Sequence, residues 1–169
     1  ELLVSDFGTL ESAKQYLPVA QLILGRALSG QKRGPRIENL QISDEAKSYF
    51  QSGSWYGREA VRLLAESGIQ RVELDNLLQG VAALPEDLQG SLHLPWLMVS
   101  SSRNCPFHRD KSGRRCSVGC GEGFSLMTSQ TSHPLIQAGN TQFIKNEYLP
   151  DNLTALGINR LVEHVQLPR

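Results

Sequence analysis

The chain has 169 residues, enough for one domain with its own core but short of the about 250 that a complete barrel of eight strand–helix units needs. Its 17 basic residues balance 17 acidic ones, so no net field draws it to nucleic acid or to a membrane surface. The longest apolar runs, Val19–Leu24 and Leu94–Val99, fall far short of the roughly 20 residues that cross a bilayer, and a cytoplasmic protein with no membrane partner is expected.

Short apolar runs alternate with helical stretches from Leu2 to about Ser100, the pattern of a parallel sheet covered by helices. Leu2 to Asp6 suits a first strand and already has strand character at the first residues, so a further N-terminal portion is expected. Leu10, Ala13, Tyr16 and Leu17 recur at helical spacing until Pro18 stops the run, and Val19 to Arg26 supplies a second strand. Ser29 to Ile37 is a polar loop containing Lys32, Arg33 and Arg36 around Gly34-Pro35. Arg58 to Ser67 carries Ala60, Val61 and Leu64 on one helical stripe, with Gly68 at the C-terminal cap position. Arg71 to Asp75 is a third strand, Leu77 to Leu84 a short helix ended by Pro85, and Leu92 to Val99 a fourth strand with Pro95 near its start or at a bulge. Beyond a Gly-, Ser-, Arg- and Cys-rich stretch, Thr141–Glu147 and Ile158–Val165 are β-like, with a turn or helix near Leu153–Leu156 between them.

In parallel α/β folds, ligand-binding groups gather at the carboxyl ends of the strands. Asp6 ends the first strand, Arg26 the second, Asp75 and Asn76 the third, and Arg103-Asn104-Cys105 follow the fourth. Asp6, Asp75 and Asn76 each precede a helical stretch, so capping is an alternative role for them. Arg26, Lys32, Arg33 and Arg36 form either a solvated basic loop or a site for an anionic small molecule, since each Arg offers a planar two-pronged donor to a carboxylate or phosphate. His93, His133 and His164 are read as packed or surface histidines. No Ser-His-Asp set, phosphate-cradling Gly loop or H-E-x-x-H pair is found.

The cysteines are the strongest chemical signal. All three, Cys105, Cys116 and Cys120, lie in one Gly-rich stretch, an odd number poorly suited to structural disulfides. Thiolates are the ligands that zinc and iron–sulfur clusters prefer. Arg109, Lys111, Arg114 and Arg115 lie among them and favour thiolate over thiol. Two metal centres are compatible with this spacing. Three cysteines can hold three irons of a [4Fe-4S] cluster, the fourth ligand coming from a missing N-terminal half or a partner subunit. Alternatively, Cys105, His108, Cys116 and Cys120 form a locally complete zinc site.

Leu24-Gly25-Arg26 with Gln31 to Ile37, then Val72 to Asn76, then Arg103 to Pro106 with Cys116 and Cys120, resemble the later part of the barrel domain of the peptidase family U32. The resemblance runs from about Val4 to His164, and its most specific part is the cysteine spacing. It implies the partial TIM-barrel-like parallel β/α units of residues 1–100, a Cys-rich metal-binding loop at 101–124 and a short β-rich tail at 125–169 that completes the domain. It also implies a [4Fe-4S] cluster on four cysteines, three of which match Cys105, Cys116 and Cys120, while the family's first has no counterpart here. Despite the peptidase name, the function implied is oxygen-independent hydroxylation of an RNA base or a quinone-precursor ring. Nucleic acid enters as a partner only through this resemblance. A zinc-clamped structural or binding module and a peptidase are the alternatives.

Overall fold

The computed structural model describes residues 1–102, 105, 107 and 120–168, which two sheets organise. The first is a five-stranded, wholly parallel sheet, so the chain is α/β as its alternation predicts. Its strands are β1 (Leu2–Val4), β2 (Leu22–Leu24), β3 (Arg71–Asp75), β4 (Gln89–Leu94) and β9 (Ile158–Glu163), adjacent in that order. The second is antiparallel, with β5 (Trp96–Ser101), β6 (Phe124–Leu126), β7 (Leu135–Ala138) and β8 (Thr141–Lys145) in the order β5-β8-β7-β6.

Helix α1 (Phe7–Tyr16) starts where the Asp6 carboxylate accepts from the Thr9 N–H, and it buries Leu10 and Ala13. Helix α2 (Asp44–Gln51) is capped by Ser43 and opens with Asp44 and Glu45, whose charges suit the positive end of the helix dipole. Helix α3 (Arg58–Glu66) ends as the glycine at 68 predicts. With Gly68 at φ +71°, its N–H bonds to Ala65 O at 3.0 Å and the Ile69 N–H to Leu64 O at 2.9 Å, while Ile69 and Leu64 pack together in the core. Leu10, Leu64 and Ile69 meet Leu24, Val72, Leu74 and Leu92 in one apolar cluster between helices and sheet.

Two expected elements differ. Leu77–Leu84 is not a helix: Gly80 sits at φ +87°, and backbone N–H groups bond to distant carbonyls, Ala82 to Gln51 O at 3.2 Å and Leu84 to Leu156 O at 3.1 Å. Burial of Leu77 and Val81 in the common core, rather than a helical stripe, explains their apolar character. Leu92–Val99 is not one strand either. At the cis Leu94–Pro95 bond the chain leaves the parallel sheet, and Trp96 opens the antiparallel one. The tail stretches likewise divide, β8 to the antiparallel sheet and β9 back to the parallel sheet beside β4.

The parallel sheet is strongly curved. Four spacings of about 4.8 Å would part β1 from β9 by about 19 Å in a flat sheet. Yet Arg160 on β9 makes a two-pronged contact with Glu1 beside β1, Nη1 to Oε2 at 2.9 Å and Nη2 to Oε1 at 2.7 Å. Arg160 is in register with Ser91 on β4, which in turn pairs with Glu73 on β3, so all three point to the same face and that face is concave. No helix of the described residues is long and apolar enough to cross a membrane.

Candidate functional site

Strand alternation separates β3 into two sets. Val72 and Leu74 enter the apolar cluster against the helices, while Arg71, Glu73 and Asp75 project to the concave face with Ser91 and His93 of β4. Every one of these polar residues is buried, so each needs a partner.

Glu73 finds His93. The carboxylate Oε2 contacts His93 Nε2 directly, and Ser91 is a further hydrogen-bonding neighbour. Burial pushes the Glu73 carboxyl up, but the hydrogen bond and charge of His93 outweigh it, with help from Ser91 and Arg26, and hold it below the usual glutamate range. On its other side His93 Nδ1 lies 2.7 Å from His164 Nε2. The rings are 27° from coplanar with centroids 4.9 Å apart, which suits a hydrogen bond in the ring planes. His164 itself follows β9 and is anchored by its N–H to Leu94 O at 2.7 Å. It is half-buried, and burial first, then the charges of His93 and Arg26, lower its pKa below the ordinary histidine value. Three adjacent strands therefore line up carboxylate, imidazole and imidazole from the buried interior outward.

Asp75, two residues after Glu73, anchors a second group at the carboxyl ends of β2 and β3. Its side chain has no exposed surface. Oδ1 accepts from Arg26 Nη1 at 2.8 Å and from the Met98 N–H at 3.2 Å, and Oδ2 accepts from Arg33 Nε at 2.6 Å. Arg33 Nη2 also donates to Arg26 O at 2.5 Å and Ser29 Oγ at 2.9 Å, and Gln31 clasps the Asp75 backbone through both amide atoms, at 2.8 and 2.9 Å. Arg26 acts electrostatically on both Glu73 and His164, so the two groups form one polar surface.

Of the residues singled out by sequence, Arg26, Arg33 and Asp75 thus come together. Asn76 is nearby in a joining role: its Nδ2 donates to Tyr148 O at 2.6 Å, and Asn146 Nδ2 donates back to Asn76 O at 3.0 Å. The rest are engaged elsewhere. Asp6 caps α1 and is exposed. Lys32 donates to Ser52 O at 2.8 Å and lies 4.1 Å from the Tyr49 ring centroid. Arg36 lines a separate cleft with Asn39, Leu40 and Thr128 to Ser132.

Cys105 and Cys120 are half-buried free thiols. Before Cys105, β5 crosses the rim at Met98 and runs on through Ser101, about 10 Å further at strand spacing. At that far end Ser102 N–H bonds to Asn140 O at 2.9 Å, and Cys120 abuts the adjoining Gly139 of the tight β7–β8 turn. The ring of Phe107 meets that of Phe124 edge to face at 5.9 Å, which draws together the two ends of the intervening segment. Cys116 and His108 lie outside the described residues, as do Arg103, Asn104, Arg109, Lys111, Arg114 and Arg115. Among the described residues no group of three His, Cys, Asp or Glu side chains is set to hold a metal ion.

Glu73, His93 and His164 are the functional candidates that sequence reasoning passes over. The available signal is the Arg-x-Glu-x-Asp alternation in β3, an ionisable residue at every second position of a strand buried on both faces. Comparison with protein-family models, with curated proteins and with solved structures finds no match to this chain.

Proposed function

We propose that the chain is the later part of an iron–sulfur protein of the U32 type, its five parallel strands forming one side of a β/α barrel. What supports a partial barrel is the curl of the sheet, marked by the Glu1–Arg160 contact between its edge strands. What supports a metal centre is the pair of free, half-buried thiols, Cys105 and Cys120, with Cys120 against Gly139 of the β7–β8 turn and Phe107 against Phe124. This donor set fits a soft metal: unpaired, partly accessible sulfurs on a Gly-rich segment with a third cysteine, Cys116, between them in sequence.

Cys105, Cys116 and Cys120 would hold a [4Fe-4S] cluster with a fourth ligand from another segment or subunit. When bound, it would supply redox or Lewis-acid chemistry for an oxygen-independent hydroxylation. Arg26 and Arg33 would then hold an anionic co-substrate at the carboxyl rim, while the buried Asp75 fixes their orientation. The test is iron and sulfide content, with the visible absorption spectrum, of the whole chain purified without oxygen. Iron and sulfide that disappear in Cys105→Ser and Cys120→Ser support the proposal. One zinc per chain, weakened by His108→Ala, replaces the cluster with a zinc clamp, and a chain free of both metals overturns the metal centre.

A further inference from the structure

The Glu73–His93–His164 line is unused by the cysteine chemistry, and its order carries a direction. A carboxylate only accepts hydrogen bonds, so the ring nitrogen of His93 that faces Glu73, Nε2, must be the N–H donor. In the neutral state of His93 its single N–H faces Glu73, which leaves Nδ1 as an acceptor. Its partner at 2.7 Å, His164 Nε2, is therefore the donor of the second bond. By the same rule His164 Nδ1 carries a lone pair, and no hydrogen bond from a described residue uses it. In the neutral pair, the buried Glu73–His93 contact and the part-buried His93–His164 bond thus select the Nε2–H tautomer of His164 and leave its Nδ1 basic.

We propose that His164 Nδ1 is a general base for an anionic substrate held beside Arg26, with His93 and Glu73 as positioning residues behind it. The proton of a substrate O–H or N–H passes to His164 Nδ1, and the substrate is left as its conjugate base. The His164 Nε2 proton can then move to His93 Nδ1, which places the imidazolium on His93, next to the Glu73 carboxylate that stabilises it. One proton is gained and none is lost, and the reverse transfer makes His164 the acid.

The surroundings suit this role. The groups acting on His164 are His93 from β4 and Arg26 after β2, which oppose its protonation, and Glu73 and Asp75 from β3, which favour it. Burial and the two opposing charges prevail, so the ring is neutral and able to accept at about pH 7. Arg26 spends Nη1 on Asp75 and the Trp96 carbonyl, and supplies the positive charge that would attract an anion and stabilise its deprotonated form. The role does not depend on any metal at the cysteines, so the metal assay and the following experiment can fail separately.

The experiment combines ¹⁵N NMR of the histidine rings in the whole chain with residue-resolved carbethoxylation by diethyl pyrocarbonate, which attacks unprotonated imidazole nitrogens. His164 is expected as the Nε2–H tautomer near neutral pH and at least about tenfold more reactive than the buried His93, with benzoate or inorganic phosphate protecting it several-fold. Protection by benzoate alone marks a carboxylate substrate, and by phosphate alone a phosphorylated one. Glu73→Gln should slow the reaction at His164 about threefold or more and shift its pH profile, a change that a purely structural glutamate would not produce. An Nδ1–H tautomer or an unreactive ring in the unaltered chain overturns the base, with no variant needed. Failure of both anions to protect it overturns the substrate class.

Discussion

The carboxylate of Asp75 accepts the backbone N–H of Met98 at 3.2 Å, and this contact ties the parallel sheet to the antiparallel one. The same carboxylate, with no exposed surface, pairs with both Arg26 and Arg33 and offsets one of their two charges. Removing it leaves two largely buried guanidinium groups without a counter-charge. Asp75→Ala should therefore cost about 3–5 kcal/mol, read from urea unfolding. A loss below about 1 kcal/mol would show that other contacts join the sheets.

Gly53 tests the segment that carries Arg33. A Cβ at this position would run into the backbone carbonyl oxygen of Ser29, whose hydroxyl in turn receives Arg33 Nη2. Gly53→Ala should destabilise by about 1–3 kcal/mol because backbone, unlike a flexible side-chain end, cannot swing aside. Gly68→Ala provides the comparison: nothing lies within 4 Å of its Cβ, and φ is +71°, so only the left-handed backbone cost of about 1–2 kcal/mol applies. Thermal melts of the two variants measure the losses, and a loss below about 1 kcal/mol for Gly53→Ala would argue against the clash.

Acid should weaken the fold in two stages. The folded His164 has a lowered pKa, so as pH falls below the unfolded value of about 6.5 the unfolded chain binds more protons and stability declines. Glu73, lowered from 4.5, contributes stability above that value that is lost as pH falls through its folded pKa. Denaturant midpoints followed from about pH 8 down to about pH 3 should hold at first, decline as pH falls through about 6.5 and decline again below about 4.5. His164→Gln should flatten the upper part, and an unchanged slope there would show that another group titrates.

Alkali should act through Tyr56. Burial pushes its phenol up to about 12, and the hydroxyl donates to Ala82 O at 2.8 Å. The contribution is complete below the unfolded value of about 10 and is lost as pH rises from there through the folded pKa. Tyr56→Phe should remove this alkaline dependence and cost about 1 kcal/mol for the hydrogen bond. Ultraviolet titration of the folded chain checks the phenol directly, and ionisation near 10 would contradict its burial.

Legibility along the chain followed what each local pattern encodes. Strand β3 and the end of α3 were readable because a buried five-residue run and a glycine at the cap are local requirements. Helix α2 was not identified, although Ser43 and the acids after it are proper start signals, because it spans only eight residues and its apolar set is limited to Ala46, Tyr49 and Phe50, none of them fully buried. Leu77–Leu84 looked helical for the opposite reason: its apolar residues serve the core while its backbone bonds to Gln51 and Leu156, partners distant in sequence. Arg26 and Asp75 were legible as strand-end polar residues and Arg33 as part of the basic loop, whereas His93 and His164, 71 positions apart, had no local sign of contact.

By itself the sequence determined an α/β chain with a parallel sheet, the polar groups at its strand ends and three cysteines in one stretch, since composition, spacing and alternation are properties of neighbouring residues. Only the tertiary structure decided that Asp75 is a buried tie between sheets, that the run from Leu92 to Val99 divides between the two sheets and that Glu73, His93 and His164 form one line. Each of these depends on which strands become neighbours and how far the sheet curls, and both are set by burial and pairing among residues far apart in the chain.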